Sequence, residues 1–117
     1  MANQVCPIGW HLPSDSEWTS LTDNLGGEEL AGTKMKSTNG WGENGNGTDA
    51  SGFAGLPGGY RTSGGAFYNI GGYGSWWSST DGSAGGAWDR FLGSDISNVG
   101  KMDSYKQHNA SVRCLKN

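Results

Sequence analysis

The side chains able to carry chemistry are few and far apart. The histidines are His11, just ahead of a helix signal, and His108, in a polar run near the C-terminus. A hydrolytic triad needs a nucleophile, a base within hydrogen-bond reach and an acid to orient that base, and neither histidine has such partners at motif spacing. His11 is therefore expected to cap or pack, and His108 to lie in an exposed loop within reach of a ligand. Glycoside hydrolysis asks for two carboxylates whose surroundings split their acidities. Glu43, Asp49, Asp81, Asp89, Asp95 and Asp103 supply carboxylates, but nothing in the sequence around them marks a pair. No enzymatic activity is expected.

Two other constellations could hold something. Glu43, Asn44, Asn46 and Asp49 gather hard oxygen donors in a short stretch, which suits calcium, although the spacing is not that of an EF-hand. The Asn-Gly steps in the same stretch explain these residues equally well as turn formers. No other cofactor or metal site is expected. The cysteines are Cys6 and Cys114, almost at the ends of the chain. That separation is wrong for a metal cluster or a redox C-x-x-C pair and suits one disulfide closing nearly the whole chain, worth about 4–5 kcal/mol in the chain-entropy model. Two buried free thiols are the alternative.

The elements that must position these groups fall into two halves. Ser14 followed by Glu17 forms a capping box, and Trp18, Leu21 and Leu25 then recur on one helical face until Gly26-Gly27 stops the helix. A second short helix is expected over 28–36, with Leu30, Ala31 and Met35 turned inward. A loop rich in Asn-Gly steps follows over 37–52. Short strands separated by glycine turns are expected over 55–61, 66–70, 73–80, 87–92, 98–102 and 110–115. Helices first and strands afterwards predict an α+β domain occupying all 117 residues, with two N-terminal helices packed on short, twisted antiparallel strands and long loops at one end.

Composition narrows the partners. Only 16 of 117 residues are Leu, Ile, Val or Phe, so the core must be built on the six Trp and four Tyr. A net charge of -3 provides no basic field for nucleic acid or anionic lipid. No apolar stretch is long enough to span a bilayer, and residues 1–4 lack the basic and apolar regions of a secretory signal. A disulfide-bonded, lysine-poor chain is expected at the cell exterior, with any export signal removed or upstream. The sequons at Asn46 and Asn109 are read as chance matches.

The run Cys6-Pro7-Ile8-Gly9-Trp10-His11-Leu12-Pro13-Ser14-Asp15-Ser16-Glu17-Trp18 resembles the opening of the Fibrobacter succinogenes major paralogous domain family. Further matching segments are Asn44-Gly45-Asn46-Gly47-Thr48-Asp49, Leu56-Pro57-Gly58-Gly59-Tyr60-Arg61, Trp76-Trp77-Ser78-Ser79-Thr80 and Ser111-Val112-Arg113-Cys114. Only Asn109-Ala110 departs, where the family tends to carry Gly-Phe. The resemblance implies a C-type-lectin-like fold with paired terminal strands, which agrees with a Cys6–Cys114 bridge, and with loops that present ligand-binding side chains. The C-terminal tail also resembles the variable region of retroelement-diversified proteins.

Between Asp81 and His108 that family pattern is weak, and the residues mix Trp, Tyr and Arg with Gly, Ser and Asp, as in adaptable recognition surfaces. Asp81, Trp88, Arg90, Asp95, Met102, Asp103, Tyr105, Gln107 and His108 are accordingly expected to contact a protein or glycan ligand. Strand alternation puts Trp88 and Arg90 on one face and Ala87, Asp89 and Phe91 on the other. Trp10, Trp18, Trp41, Tyr60, Trp76 and Trp77 are expected in the core. The competing reading is a structural module that spaces or joins parts of a larger surface protein.

Overall fold

The computed structural model describes residues 5–117, so residues 1–4 and the expectation about a signal there lie outside the described residues. Ser14 begins α1 (Asp15–Asn24): its hydroxyl accepts the Glu17 N–H at 3.2 Å, and the Glu17 carboxylate accepts the Ser14 N–H at 3.0 Å. Two amides that the helix start leaves without partners are thereby satisfied. Trp18 is buried, with Leu21 and Leu25 packed partly against the same core. Gly26 and Gly27 both sit at φ +100°, a conformation that strains other residues, and turn the chain into α2 (Glu28–Met35).

The buried stripe of α2 is Ala31, Gly32 and Met35. Gly32 lies so close to the Ser97 and Asn98 carbonyls that a Cβ there has no room. Leu30, expected inward, is 58% exposed, because one position along a helix is a 100° turn away from the Ala31–Met35 row. Just past α2, Lys36 is buried and its ammonium donates to the carbonyls of Gly93 and Ile96, both at 3.0 Å. Burial pulls its pKa below the ordinary lysine value, with Asp95 opposing.

The main sheet is an antiparallel meander of β4 (Tyr73–Asp81), β5 (Gly86–Gly93) and β6 (Gly100–Tyr105). β2 (Tyr60–Arg61) pairs with β3 (Phe67–Tyr68), and β1 (Trp10–His11) pairs with β7 (Leu115–Lys116). The protein is thus α+β, with two helices and small antiparallel sheets. The strands expected over 55–61, 66–70 and 110–115 shorten to two residues each, joined to the rest by isolated bridges such as Gly59 to Gly74 and Trp76 to Ser111. Cys6 and Cys114 are bridged, with Cα atoms 5.9 Å apart, so the free-thiol alternative falls.

Two apolar clusters lie on the two faces of the β4–β5–β6 sheet. Between sheet and helices, Trp18, Met35, Trp41, Phe53, Trp76 and Leu92 pack together, with Phe53 meeting Trp18 and Trp76 edge-on at 5.8 and 5.2 Å. On the opposite face Leu12, Trp77 and Ala87 form a smaller cluster. Trp10 departs from the expected core: it sits in the short terminal strand pair, 44% exposed. Among the described residues no helix is long and apolar enough to cross a membrane.

Candidate functional site

β5 carries two charged residues in succession, Asp89 and Arg90, and alternation sends them to opposite faces. Arg90 turns toward α1 and is 3% exposed. Its guanidinium donates to the Asp15 carboxylate at 2.6 Å, to the Asp15 carbonyl at 3.2 Å and to the Thr19 hydroxyl at 3.2 Å. Lys101 completes the group, 2.8 Å from the other Asp15 oxygen and 4.5 Å above the Trp88 ring. Burial raises the Asp15 pKa, but the hydrogen bonds from Lys101 and Arg90 outweigh it and hold the carboxyl below its ordinary value. Arg90 therefore fastens helix to sheet instead of being displayed, and Trp88 is half-buried beside it, which corrects the expectation of an exposed pair.

Asp89 turns the other way, to the base of a cavity of about 290 Å³ walled by Tyr60, Tyr73, Trp77, Met102 and His108. The β4–β5 register sets Trp77 beside Asp89, and the β5–β6 register sets Met102 on its other side. Asp89 is 3% exposed. One carboxylate oxygen accepts the Ser104 hydroxyl at 2.7 Å, and the other has no hydrogen-bond partner among the described residues. Burial pushes its pKa up to about 6, against the opposing effects of Ser104, Arg90 and the Met102 backbone. Burial likewise pushes the Tyr73 hydroxyl up to about 12, with Asp89 and Tyr60 adding to the rise.

The walls are aromatic and touch one another. Tyr60 meets Tyr73 edge-on at 5.6 Å, stacks on Tyr68 at 5.7 Å and lies 6.3 Å from the His108 ring. His108 in turn meets Tyr105 edge-on at 5.9 Å. Met102 in the wall, and Tyr68 and Tyr105 against its Tyr60 and His108 rings, are about half-exposed or more. Asn109 and Ala110 close one side. Ala110, at the position where the resemblance expects an aromatic residue, packs only partly against the Leu12–Trp77–Ala87 cluster.

Of the nine expected contact residues, the structure brings Met102 and His108 to this cavity and Tyr105 to its edge. Asp81 is exposed 2.7 Å from Lys106, and Asp95 and Gln107 are exposed away from the cavity wall. Asp103 is half-buried beneath the β4–β5 turn, where its carboxylate accepts the Ser83 N–H at 2.6 Å and packs against Gly82 and Gly86. That role is structural, which corrects its expected display. Sequence reasoning missed Tyr73 altogether and assigned Tyr60 and Trp77 to the core alone. It named Asp89 as one carboxylate among six and placed it on a strand face without assigning it a role. The available signal was an aspartate placed on the same strand face as Ala87 and Phe91.

Two of the four proposed calcium donors are engaged within the loop. The Asn46 side-chain oxygen accepts the Trp41 N–H at 2.9 Å, and the Asp49 carboxylate accepts the Ala54 N–H at 2.7 Å. Glu43, Asn44 and Asp49 have positive φ, as turn residues do. Among the described residues no group of three or more His, Cys, Asp or Glu is placed to hold a metal ion. His11 bridges the Glu17 carboxylate at 3.0 Å and the Asn117 side chain at 2.6 Å, tying β1 to α1 and the C-terminus. The bond to Glu17, then that to Asn117, raises its pKa.

An α+β module closed by a terminal disulfide, with an aromatic-walled cavity on the sheet face away from its helices, is the class of protein that these features define. The chain matches the Fibrobacter succinogenes major domain over residues 1–116, and it belongs to that family. No curated protein and no solved structure matches it.

Proposed function

We propose that this domain is an extracellular ligand-binding module that recognises a protein or glycan through its C-terminal half, without chemistry. The observation that carries this reading is a cavity lined by the buried Asp89 carboxylate, by Tyr60, Tyr73 and His108 and by half-exposed Met102, with the exposed rings of Tyr68 and Tyr105 against Tyr60 and His108. Exposed aromatic groups beside a concave site are a common form of recognition surface in soluble domains. Paired terminal strands and the Cys6–Cys114 bridge support a C-type-lectin-like arrangement and an oxidising compartment. The mixed Gly, Ser, Asp and aromatic composition from 81 to 108 supports a surface that tolerates diversification, as in retroelement-diversified proteins.

The test is a screen of the folded domain on arrays of glycans and surface proteins, repeated with Tyr68→Ser, Met102→Ser and Tyr105→Ser. Loss of the captured ligand with unchanged melting supports the reading; undiminished capture by all three variants removes it. A second reading, a structural module within a larger surface protein, has its own observation. Ile8 is fully exposed, and Trp10, Val112 and Leu115 are all more than a third exposed near the terminal strand pair. Ligand capture that depends on Ile8 and Trp10 instead of the cavity rim favours that alternative.

A further inference from the structure

Accepting the cavity as the recognition site, we infer that it takes an organic cation bearing N–H donors, an ammonium or guanidinium group on a short alkyl chain. Asp89 is buried with one carboxylate oxygen held by Ser104 and the other without a hydrogen-bond partner among the described residues, and it lines an open cavity. A buried acceptor left unpaired is unfavourable, and a donor arriving with a ligand relieves it.

The charge of that donor follows from the surroundings. The cavity wall contains no lysine or arginine, and the neighbouring cation, Arg90, is directed to the opposite face and bound to Asp15. Tyr60, Tyr73, Trp77 and His108 contribute four rings to the wall. Aromatic walls around a carboxylate attract cations and exclude anions, since ring faces carry negative quadrupole density. Met102 adds a polarizable thioether that suits an alkyl stem.

Size and hydrogen bonding refine the class. A volume of about 290 Å³ is at the small end of ligand cavities and fits a side-chain-sized group better than a chain of sugars. A quaternary ammonium would satisfy the rings but leave the Asp89 oxygen unpaired, so primary ammonium and guanidinium groups are preferred. Such a group reaches the cavity either as a free small amine or as a lysine or arginine side chain of a protein ligand.

The experiment titrates the full chain with n-butylammonium, n-butylguanidinium, tetramethylammonium and n-butanol, following the backbone amide signals of Asp89, Ser104 and Ala110 by NMR. Butylammonium and butylguanidinium are expected to shift these signals at concentrations about tenfold below those needed for the neutral alcohol, the scale of one charged hydrogen bond. Asp89→Asn is expected to abolish that preference. Tyr60→Leu should weaken cation binding roughly threefold to tenfold. Ala110→Phe should block entry, with the thermal melt confirming that the domain folds. A lysine derivative then separates the sources: tighter binding of Nα-acetyl-lysine amide, whose ε-ammonium is free, than of butylammonium identifies a protein side chain, and the reverse a free amine.

Equal affinity for butanol and butylammonium, or unchanged cation binding by Asp89→Asn, overturns the inference. A macromolecular ligand that is lost on changing Tyr105 or Met102 but retained by Asp89→Asn refutes the cation and leaves the recognition surface standing. Retention by the rim variants as well removes the surface itself.

Discussion

The two faces of the β4–β5–β6 sheet treat neighbouring charges in opposite ways. On the helix-facing side, Arg90 is buried with three acceptors from α1 within 3.2 Å, and Lys101 shares the same aspartate. On the other side, Asp89 is buried to the same degree with one oxygen unpaired and aromatic rings around an open cavity. Both groups are charged, adjacent in sequence and almost inaccessible to solvent. What separates them is satisfaction: one completes its hydrogen bonds within the fold, and the other lacks a partner that the fold does not supply. A satisfied buried charge fixes structure, whereas an unsatisfied one in a concave wall costs stability unless a donor from outside the fold completes it.

The largest test of this contrast is in the helix-facing core. Trp18→Ala is expected to cost roughly 3–5 kcal/mol, read as a fall in thermal midpoint, because it removes a fully buried ring that packs edge-on against Phe53 in the helix-facing core. Arg90→Ala should follow at about 3 kcal/mol, since it removes the buried partner of Asp15 while Lys101 remains to share that charge. A cost below about 1 kcal/mol would mean that Arg90 is displayed after all, as the sequence alone suggested.

Across the strand the sign reverses. Asp89→Asn is expected to stabilise the domain at neutral pH by on the order of 1 kcal/mol, since it removes a buried charge lacking a full set of partners. Its raised pKa sets the pH window. Between the ordinary carboxylate value of 3.8 and about 6 the folded state binds the proton more tightly than the unfolded chain. The Asp89 contribution to stability therefore falls as pH rises through that range. Asp15 and Glu17 work in the other direction: their folded values are lowered, so the stability they add is lost as pH falls below the ordinary carboxylate range. Equilibrium unfolding should show a downward slope from the carboxylate range to about pH 6 that Asp89→Asn flattens, while the fall that the raised His11 pKa imposes above the ordinary histidine value of 6.5 persists; an unchanged slope below about pH 6 would move the titration elsewhere.

The smallest effects on stability are expected at the rim. Tyr105→Ser and Met102→Ser should change the melting free energy by about 0.5 kcal/mol or less, as exposed positions do, while altering ligand capture. If either variant destabilises as much as Arg90→Ala, the rim belongs to the core and the contrast between the faces fails.

The sequence by itself determined the local devices. Ser14 and Glu17 needed only each other to start α1, Gly26-Gly27 could hardly do anything but end it, and the spacing of Cys6 and Cys114 left one intramolecular bridge as the simplest pairing. Period-two alternation correctly separated Arg90 from Asp89. Tertiary structure alone decided which of those faces the helices cover, and so buried Arg90, expected at a ligand, against α1 and left Asp89, for which no role was expected, lining the cavity. Alternation fixes which side chains share a face, but the covering layer is chosen by packing between distant segments. The same reason hid the burial of Lys36, which depends on carbonyls near residue 95, and the exposure of Trp10, which depends on how little covers a two-residue strand pair. Tyr60, Tyr73, Asp89 and His108 become one site only when β2, β4, β5 and the turn after β6 converge, and no spacing along the chain encodes that meeting.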